Sequence, residues 1–403
     1  MNIRYYKLRF RLASPLAVGS GETVNTDSDV ILDSLSRPMI PATAIAGVIR
    51  HECETEGGNQ NALFGCISGE HSINSKIRFY DAVPASDSFV TVRDMVALEK
   101  KVGKDGAKFD SEAVETNAEF VTLFELRDAT EQETALFLNA LSALAAGHLR
   151  FGAKTSRGYG QIEIKALQKA EFNLPEQKSA WLKFEPFDYD ADAYYSAFTL
   201  PEYQSRFLAI HLDLQQNGAV SIRSYIARNR KDVNIGDADY EQLTMSDDVP
   251  VIPGTSWAGA FRDRFCEFAA DDAFTKEVFG FVDEKTQTQQ KSKVYFSESR
   301  IFGHERKIIT RNSIDRFSAA TRDGALYTEN TVYNGKCGLD IVLQKDISDL
   351  ERAEKIMLAV IRDLHNGYLA VGGLTAVGRG LFTVENLTID GEQKTELLGK
   401  GGV

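Results

Sequence analysis

The sequence lacks any run of about 18 consecutive apolar residues, the minimum for a membrane-spanning helix. Its first residues, MNIRYYKLRFRLA, alternate charged and apolar side chains and have no apolar core of the kind found in secretory signal peptides. We therefore expect a soluble, cytoplasmic protein.

Cysteine is also scarce, and no two cysteines form a Cys-x-x-Cys pair. The four cysteines are Cys53, Cys66, Cys266 and Cys337, and the six histidines do not lie near them at the spacing of zinc ligands. This pattern predicts reduced thiols and no structural zinc.

The sequence also has no excess of basic residues. It contains 46 Lys and Arg against 58 Asp and Glu, which gives a formal net charge of −12. Phosphate affinity comes mostly from Lys and Arg, so this balance argues against a free-standing nucleic-acid-binding protein. The segment 168–205 alone carries three basic and seven acidic residues, is rich in aromatics, and has prolines near its ends. We interpret it as a linker between two domains.

What the chain does contain is an internal duplication. Residues 38–50 read PMIPATAIAGVIR and residues 250–262 read PVIPGTSWAGAFR, identical at seven of thirteen positions. Self-similarity at a fixed separation indicates repeated structural units. A chain of 403 residues with 43% hydrophobic content can fill two cores.

The two copies correspond beyond this stretch. We align the strand that contains Leu8, Phe10 and Leu12 with the strand that contains Leu208, Ile210 and Leu212. SKIRFYDA at 75–82 matches SKVYFSES at 292–299, and Arg93 and Arg311 each precede an Asp-Gly pair by twelve residues. Each copy ends in an amphipathic helix, a glycine-rich loop and a strand. This order predicts two tandem ferredoxin-like (RRM-like) α+β domains, at 1–167 and 206–403.

The duplicated stretch predicts a helix start in each copy. Pro41 and Pro253 fit just before or at the first turn, and Thr43 and Thr255 can accept a backbone hydrogen bond there. Glycine inside a helix costs about 1 kcal/mol relative to alanine. Gly47 and Gly259 therefore indicate close approach of another backbone or of a ligand, and Arg50 and Arg262 end the same turn.

These motifs together resemble the RAMP superfamily, specifically the backbone subunits of type III CRISPR effector complexes. The likeness rests on the proline-flanked helix start, the arginine-containing hairpin and the glycine loop, each present twice in the same order. The fused form resembles the double-repeat subunit of type III-D complexes. It implies a protein that binds guide RNA and single-stranded target RNA, stacks with other backbone subunits and the large subunit, and uses residues 88–125 and 305–340 as thumb-like hairpins.

The resemblance also implies which residues contact RNA. In the glycine loops, backbone N–H groups would point at a phosphate while Lys154 and Arg157 supply charge; Leu374 and Val377 replace these two in the second copy. A basic stretch at 222–231 would follow the phosphate chain. The expected RNA-binding residues are Thr43, Gly47, Arg50, Gly152, Lys154, Arg157, Gly158, Gly160, Arg223, Arg228, Arg230, Thr255, Gly259, Arg262, Arg311, Gly372, Gly373, Gly378 and Arg379.

Target cleavage is the activity that the resemblance implies, through an aspartate in the loop before the helix start. That position is Asp27, and counting back eleven residues from Pro250, as from Pro38 to Asp27, reaches Asp239, with Asp237 as a competing candidate. Asp29 stands where the family usually has proline and adds a second carboxylate. Because a carboxylate with the ordinary aspartate pKa of about 4 is a weak base at neutral pH, we expect a bound divalent cation, Mg or Mn.

Three other functions stay open at this point. The protein could be a backbone subunit that binds RNA without cutting it. It could be a guide-precursor processing endoribonuclease, for which His51 beside Arg50 is a candidate residue. It could also be an unrelated scaffold of two ferredoxin-like domains.

Overall fold

A computed structural model of the chain describes residues 1–21, 24–55, 60–68, 71–99, 102–224, 238–283 and 286–399. The chain folds into two compact units. Unit 1 comprises Met1–Val92, Asp110–Thr155 and Tyr159–Ser205. Unit 2 comprises Arg93–Phe109, Ser156–Gly158 and Arg206–Val403, so it includes two short segments from the first sequence repeat.

Unit 1 is built on an antiparallel sheet with the N-terminal strand at its centre. In spatial order its strands are Ser196–Ala197, Ile162–Asn173, Asn2–Leu12, Glu119–Arg127 and Ile77–Phe79, and Val83–Pro84 also pairs with Glu119–Arg127. The helices on it are Ala42–Thr55, Gln60–Phe64 and Glu131–Ala145. Ile45, Ile49 and Phe137 of these helices share a core with Phe10 and Phe120 of the sheet, because alternate strand residues face the same side.

The segment expected to be a linker covers the other face of this sheet. The strand Ile162–Asn173 runs past the domain boundary predicted at residue 167, and the helix Lys178–Trp181 follows it. The ring of Phe184 then packs 4.9 Å from that of Tyr5 and 5.0 Å from that of Phe172. The aromatic residues of the segment therefore form a second, smaller core of unit 1.

A charged contact also holds this segment to the sheet. Lys7 points to the same face as Tyr5, and its side chain is fully buried. Its ammonium donates to Asp192 at 2.7 Å and to the carbonyl oxygen of Tyr189 at 3.0 Å. The acidic residues of the segment thus have a structural use, since a buried cation needs a paired anion.

Unit 2 repeats the strand order of unit 1. Its sheet runs Val294–Phe296, Lys336–Gln344, Phe207–Asn217, Leu381–Ile389 and Glu392–Gln393. Its helices are Gly254–Ala269, Asp272–Phe279 and Leu350–His365. Trp257, Phe261 and Phe265 of the first helix pack on Leu212 and Ile341 of the sheet. The prediction of two tandem ferredoxin-like domains is confirmed.

Short strands and turns complete both units, and each copy carries a hairpin where the sequence predicts a thumb. The first hairpin is Val90–Glu99 with Val102–Val114, and the second is Glu305–Arg311 with Tyr327–Tyr333. The remaining described elements are the strands Cys66–Ser68, His71–Ile73, Ala219–Val220, Arg223–Ser224, Tyr240–Gln242, Val251–Ile252, Phe281–Asp283, Thr288–Gln290 and Ser299–Arg300, with 3-10 turns at Thr155–Arg157, Thr375–Val377 and Thr395–Leu398.

The alignment of the two first strands was wrong by four residues. A bulge follows Arg9 in one strand and Asp213 in the other, so Phe10 corresponds to Leu214 and not to Ile210. A two-residue period looks the same after any even shift, so the alternation of apolar residues could not distinguish these registers.

Pro41 and Pro253 directly precede their helices, as predicted, but the predicted capping by Thr43 and Thr255 was wrong. The first helix begins at Ala42, whose N–H donates to the carboxylate of Asp81 at 2.7 Å. In unit 2 the cap position is Pro253, which makes no side-chain hydrogen bond. Thr43 and Thr255 lie one residue inside their helices, where a hydroxyl cannot reach the orphan N–H groups of the first turn.

Gly380 directly precedes the strand Leu381–Ile389 and packs closely against the backbone of Val371. It has a φ of +74°, and a Cβ there would lie 1.9 Å from the carbonyl oxygen of Val371. We expect Gly380→Ala to lower the free energy of unfolding by at least about 3 kcal/mol. The control Gly391→Ala has a φ of +80° but open space around it, and should cost only about 1 kcal/mol. Urea denaturation measures both, and equal losses would contradict this account.

Candidate nucleic-acid interface and loop carboxylates

Asp27 lies in the exposed loop between the first strand and the first helix, and a reciprocal pair of hydrogen bonds fixes it. Its N–H donates to the carboxylate of Asp110 at 2.9 Å, and its own carboxylate accepts from the N–H of Asp110 at 3.0 Å. Asp110 lies on the returning strand of the hairpin, Val102–Val114. The loop is therefore tied to the base of the hairpin.

Asp239 is also bonded to the hairpin of its own unit, with a backbone carbonyl in place of the Asp110 carboxylate as acceptor. Its carboxylate accepts from the N–H of Thr328 at 2.7 Å, and its N–H donates to the carbonyl oxygen of Thr328 at 2.8 Å. Thr328 lies on the returning strand of the second hairpin, Tyr327–Tyr333. The structure thus gives Asp239 the place that Asp27 has in unit 1, whereas Asp237 lies outside the described residues.

The two loops differ in the number of carboxylates. Asp27 has Asp110 beside it, whereas Asp239 has Thr328, so only the first loop presents two carboxylates. Among the residues that the structure describes, no three His, Cys, Asp or Glu side chains come together as a ready metal site. Asp27 and Asp110 fit a divalent cation that takes its other oxygen ligands from water or phosphate.

Asp29, the added carboxylate of the sequence, organises the loop internally. It is 6% exposed and accepts hydrogen bonds from the N–H groups of Val24, Asn25 and Thr26 and from the Thr26 hydroxyl, at 2.8 to 3.0 Å. The hydrogen bond from Asn25 contributes most to lowering the pKa of Asp29 to about 2, against the opposing effect of burial. Its oxygens are thus committed to the loop backbone.

The repeated helices present matching exposed faces. Gly47 and Gly259 are exposed, and in the described part of the chain no atom outside the helix backbone lies within 4 Å of a Cβ placed on either. The fold itself therefore gives no packing reason for these glycines. Arg50, one turn later, is half-exposed and lies 3.5 Å from Glu54, and Arg262 is exposed.

The glycine loops are packed more tightly than the phosphate-cradle prediction requires. A Cβ on Gly152 would lie 2.3 Å from the Ala17 carbonyl oxygen, and one on Gly160 would lie 1.9 Å from that of Phe151. The N–H of Gly160 donates to Pro15 at 2.7 Å. In unit 2 the N–H groups of Gly373 and Gly380 donate to Ser221 and Ala219, both at 2.8 Å, and Gly372 is packed against Ser221. These N–H groups are satisfied within the chain and do not point at a phosphate.

The basic residues of these loops differ in accessibility. Lys154 donates to the hydroxyl of Ser111 at 2.6 Å and is half-buried, which was not expected. Arg157 is exposed. Arg379 is only 2% exposed, with its guanidinium on the carboxylate of Glu329. This burial does not fit the prediction that Arg379 contacts RNA.

Glu329 is the residue of this region that sequence reasoning missed. It also accepts from Arg223 at 2.8 Å, and the Arg223 guanidinium lies 4.1 Å from the centre of the Tyr240 ring. The alternating sequence pattern around Glu329 does not indicate that this glutamate is buried. Only the tertiary structure shows that it binds both Arg223 and Arg379. Arg228 and Arg230, predicted in the same basic stretch, lie outside the described residues.

The second hairpin carries both exposed apolar side chains and basic side chains. Ile308 and Leu326 are 65% and 64% exposed, and Phe317 is fully exposed. Arg311 and Lys307 lie on the outgoing strand of the same hairpin. Exposed apolar groups interleaved with cations suit base stacking beside phosphate contacts.

Two further features concern the helices that the structure describes. His51, the candidate residue for guide processing, is exposed on its helix and lies 3.9 Å from Glu54. Of the helices that the structure describes, none is long and apolar enough to cross a bilayer.

Comparison with known proteins agrees with this architecture. A family model of the RAMP superfamily matches residues 9–163 and 231–383, one segment in each repeat. Among curated proteins, none matches the sequence.

Asp29 allows a test of how the loop that carries Asp27 is held. A carboxylate with a lowered pKa stabilises the folded loop above the ordinary aspartate pKa of about 3.9, and this stabilisation is lost as pH falls toward 2. We expect the protection of the amides of residues 24–30 against hydrogen exchange, measured relative to the intrinsic rate at each pH, to decrease as pH falls through this range.

Asp29→Asn should accelerate the same exchange about tenfold or more at neutral pH, because one amide oxygen cannot replace two carboxylate oxygens. Asp33→Asn is the matched control, since Asp33 accepts hydrogen bonds from Leu35 and Arg37 in the next turn. Unchanged exchange in Asp29→Asn would show that this carboxylate does not hold the loop.

Proposed function

This chain belongs to the RAMP superfamily, and on that premise we propose that it is a backbone subunit of a type III CRISPR effector complex that binds guide RNA and cleaves the paired target RNA. Family membership implies a CRISPR-associated, RNA-binding protein that works in a complex. The proposal extends this to type III, to the fused III-D form, and to cleavage beside Asp27 and Asp239.

The observation that carries the proposal is the equivalent placement of two loop aspartates. In each unit an exposed aspartate is bonded to the returning strand of the hairpin, at Asp110 in one and Thr328 in the other. A hairpin that displaces one base of a guide–target duplex would bring the neighbouring phosphate to this loop. Two such loops predict two cuts in the target.

RNA cleavage requires few catalytic groups from the protein, because the 2′-hydroxyl of RNA can attack the adjacent phosphorus once the RNA backbone is held in line. Asp27 with Asp110, and Asp239 alone, would hold a divalent cation, Mg or Mn, that offsets charge on the phosphate. The protein itself contributes by positioning the RNA strand. The exposed hairpin around Phe317 would separate the bases, and the helix faces at Gly47 and Gly259 would admit the sugar-phosphate backbone.

Cleavage is tested in the complex assembled with guide RNA and a labelled complementary target. We expect Asp27→Ala to abolish one product, Asp239→Ala to abolish another, and the double variant to abolish both. Asp190→Ala is the control, because the Asp190 side chain is 96% exposed and pairs only with Arg9 among the described residues. An unchanged product ladder in the double variant would leave a guide-binding subunit that does not cut.

Cleavage without added metal by the isolated chain on a repeat RNA would instead favour the guide-processing alternative. Chelation with EDTA in the same assay separates these two nucleases.

The helix glycines provide a test of RNA contact that is independent of cleavage. Because open space surrounds Gly47 and Gly259, Gly→Ala at either position should raise the free energy of unfolding by about 0.5 to 1 kcal/mol. The same variants should weaken guide-RNA binding by the assembled subunit several-fold, as the added methyl groups meet the RNA backbone. Higher stability with unchanged affinity would show that RNA does not approach these faces.

A further inference from the structure

Unit 2 contains a small cavity at which two arginines share one carboxylate. Glu329 accepts hydrogen bonds from Arg379 and, at 2.8 Å, from Arg223, and all three residues line the cavity. Arg379 belongs to the glycine loop, Arg223 to the short strand Arg223–Ser224, and Glu329 to the returning hairpin strand Tyr327–Tyr333. Three segments that are distant in the chain therefore meet at this cavity.

The two guanidinium groups have donors to spare. The Nε and Nη1 atoms of Arg379 and the Nε atom of Arg223 are buried, and none of them has a hydrogen-bond acceptor in the part of the chain that the structure describes. The Arg379 side chain as a whole is only 3% exposed. A guanidinium can donate but cannot accept, so these buried N–H groups need an acceptor that the described residues do not supply.

The size and charge of the cavity limit what that acceptor can be. There is room for the centre of one water-sized particle, about 10 Å³, between walls that include Val220, Ile222 and Thr331. Two guanidinium cations against the single Glu329 carboxylate leave an excess of positive charge. Glu241 also lines the cavity, but it is only half-buried, so solvent screens its charge more strongly than that of the buried groups. A small anion satisfies the donors and the charge together, whereas a phosphate group is too large.

The first repeat has different residues at the equivalent positions. Tyr159 and Ser111 take the places of Arg379 and Glu329, and both are 1% exposed. The cluster of two arginines and a glutamate therefore belongs to the second repeat alone. A tyrosine at position 379 is also a substitution that the same fold already accommodates in its other copy.

We propose that this cavity binds a single monatomic anion, chloride or another halide, through the guanidinium N–H groups of Arg379 and Arg223. Hydrogen bonds from charged donors to an anion are strong, and the anion offsets the excess positive charge that burial makes costly. The bound anion joins the glycine loop to the returning hairpin strand beside Thr328, the residue that donates to Asp239. The site does not depend on the proposed function, because its size excludes a nucleic-acid phosphate.

The site is tested first by crystallising the full chain with sodium bromide in place of chloride and collecting anomalous diffraction at the bromine edge. We expect an anomalous peak in the cavity, within hydrogen-bonding distance of Arg379. Crystals of Arg379→Tyr should lack this peak and keep any peaks at the protein surface. Density in the cavity without an anomalous signal, which indicates water, would overturn the proposal, and so would anomalous peaks at surface positions only, an adventitious ion only.

The second measurement is hydrogen exchange in solution, in sodium chloride and in sodium gluconate of equal ionic strength, since gluconate is too large for the cavity. Exchange at residues 329–331 and 379–381 should slow about tenfold when chloride is at ten times the dissociation constant of the site, because the anion binds only the folded form. The helix Leu350–His365 is the internal control and should exchange equally in both salts.

Two variants show whether the slowing arises at this cavity. Arg223→Gln keeps the buried pair of Arg379 and Glu329 and should reduce the effect of chloride several-fold, so the test does not depend on the folding of Arg379→Tyr. Arg322→Gln removes the same charge from a side chain that is 62% exposed and should leave the effect unchanged. Equal exchange of the unmodified chain in both salts, or an undiminished effect of chloride in Arg223→Gln, would contradict the proposal.

Discussion

Both units depend on one close approach of backbone to backbone, made possible by a missing side chain. Gly160 and Gly380 lie against the carbonyls of Phe151 and Val371, and their N–H groups donate to the carbonyls of Pro15 and Ala219, two to three residues after each first strand. A methyl group at either glycine would separate these segments. The contact sets where the first strand ends and the aspartate loop begins.

From that junction the position of each candidate site follows. The loop leaves the strand, folds around its own hydrogen bonds, which in unit 1 converge on Asp29, and meets the returning strand of the hairpin at Asp110 or Thr328. Asp27 and Asp239 are thus each held by a hydrogen bond from a strand N–H to the aspartate carboxylate and by a second hydrogen bond from the aspartate's own N–H. This explains how two sequences with little else in common in this loop reach the same geometry.

On this shared frame the two copies have diverged at single positions with large physical consequences. Tyr159 and Arg379 occupy the same buried place, and the arginine brings with it a buried partner, Glu329, where the first copy has Ser111. The glycine loop of the second copy is consequently held by charge, and that of the first by a lysine on a hydroxyl. Such exchanges change a predicted phosphate ligand into a structural residue without altering the pattern of glycines around it.

The sequence by itself determined the duplication and the ferredoxin-like order of elements, because spacing and glycine patterns survive divergence and reflect backbone geometry. It offered Asp239 and Asp237 as competing counterparts of Asp27. Only the tertiary structure decided the register of the first strands, the capping by Asp81, the burial of Arg379 and the closure of the Asp29 loop. The register, the cap and the buried arginine depend on segments that lie far apart in the chain, and a side chain's type does not reveal its distant neighbour. The Asp29 loop is closed by residues three to five positions away, but an aspartate in an acidic loop does not reveal that its carboxylate binds the backbone. Gly158 and Gly378 have similar φ values of +87° and +80°, yet among the described residues only Gly158 has backbone atoms within 3 Å of its Cβ position. The glycine pattern of the sequence does not distinguish these two surroundings.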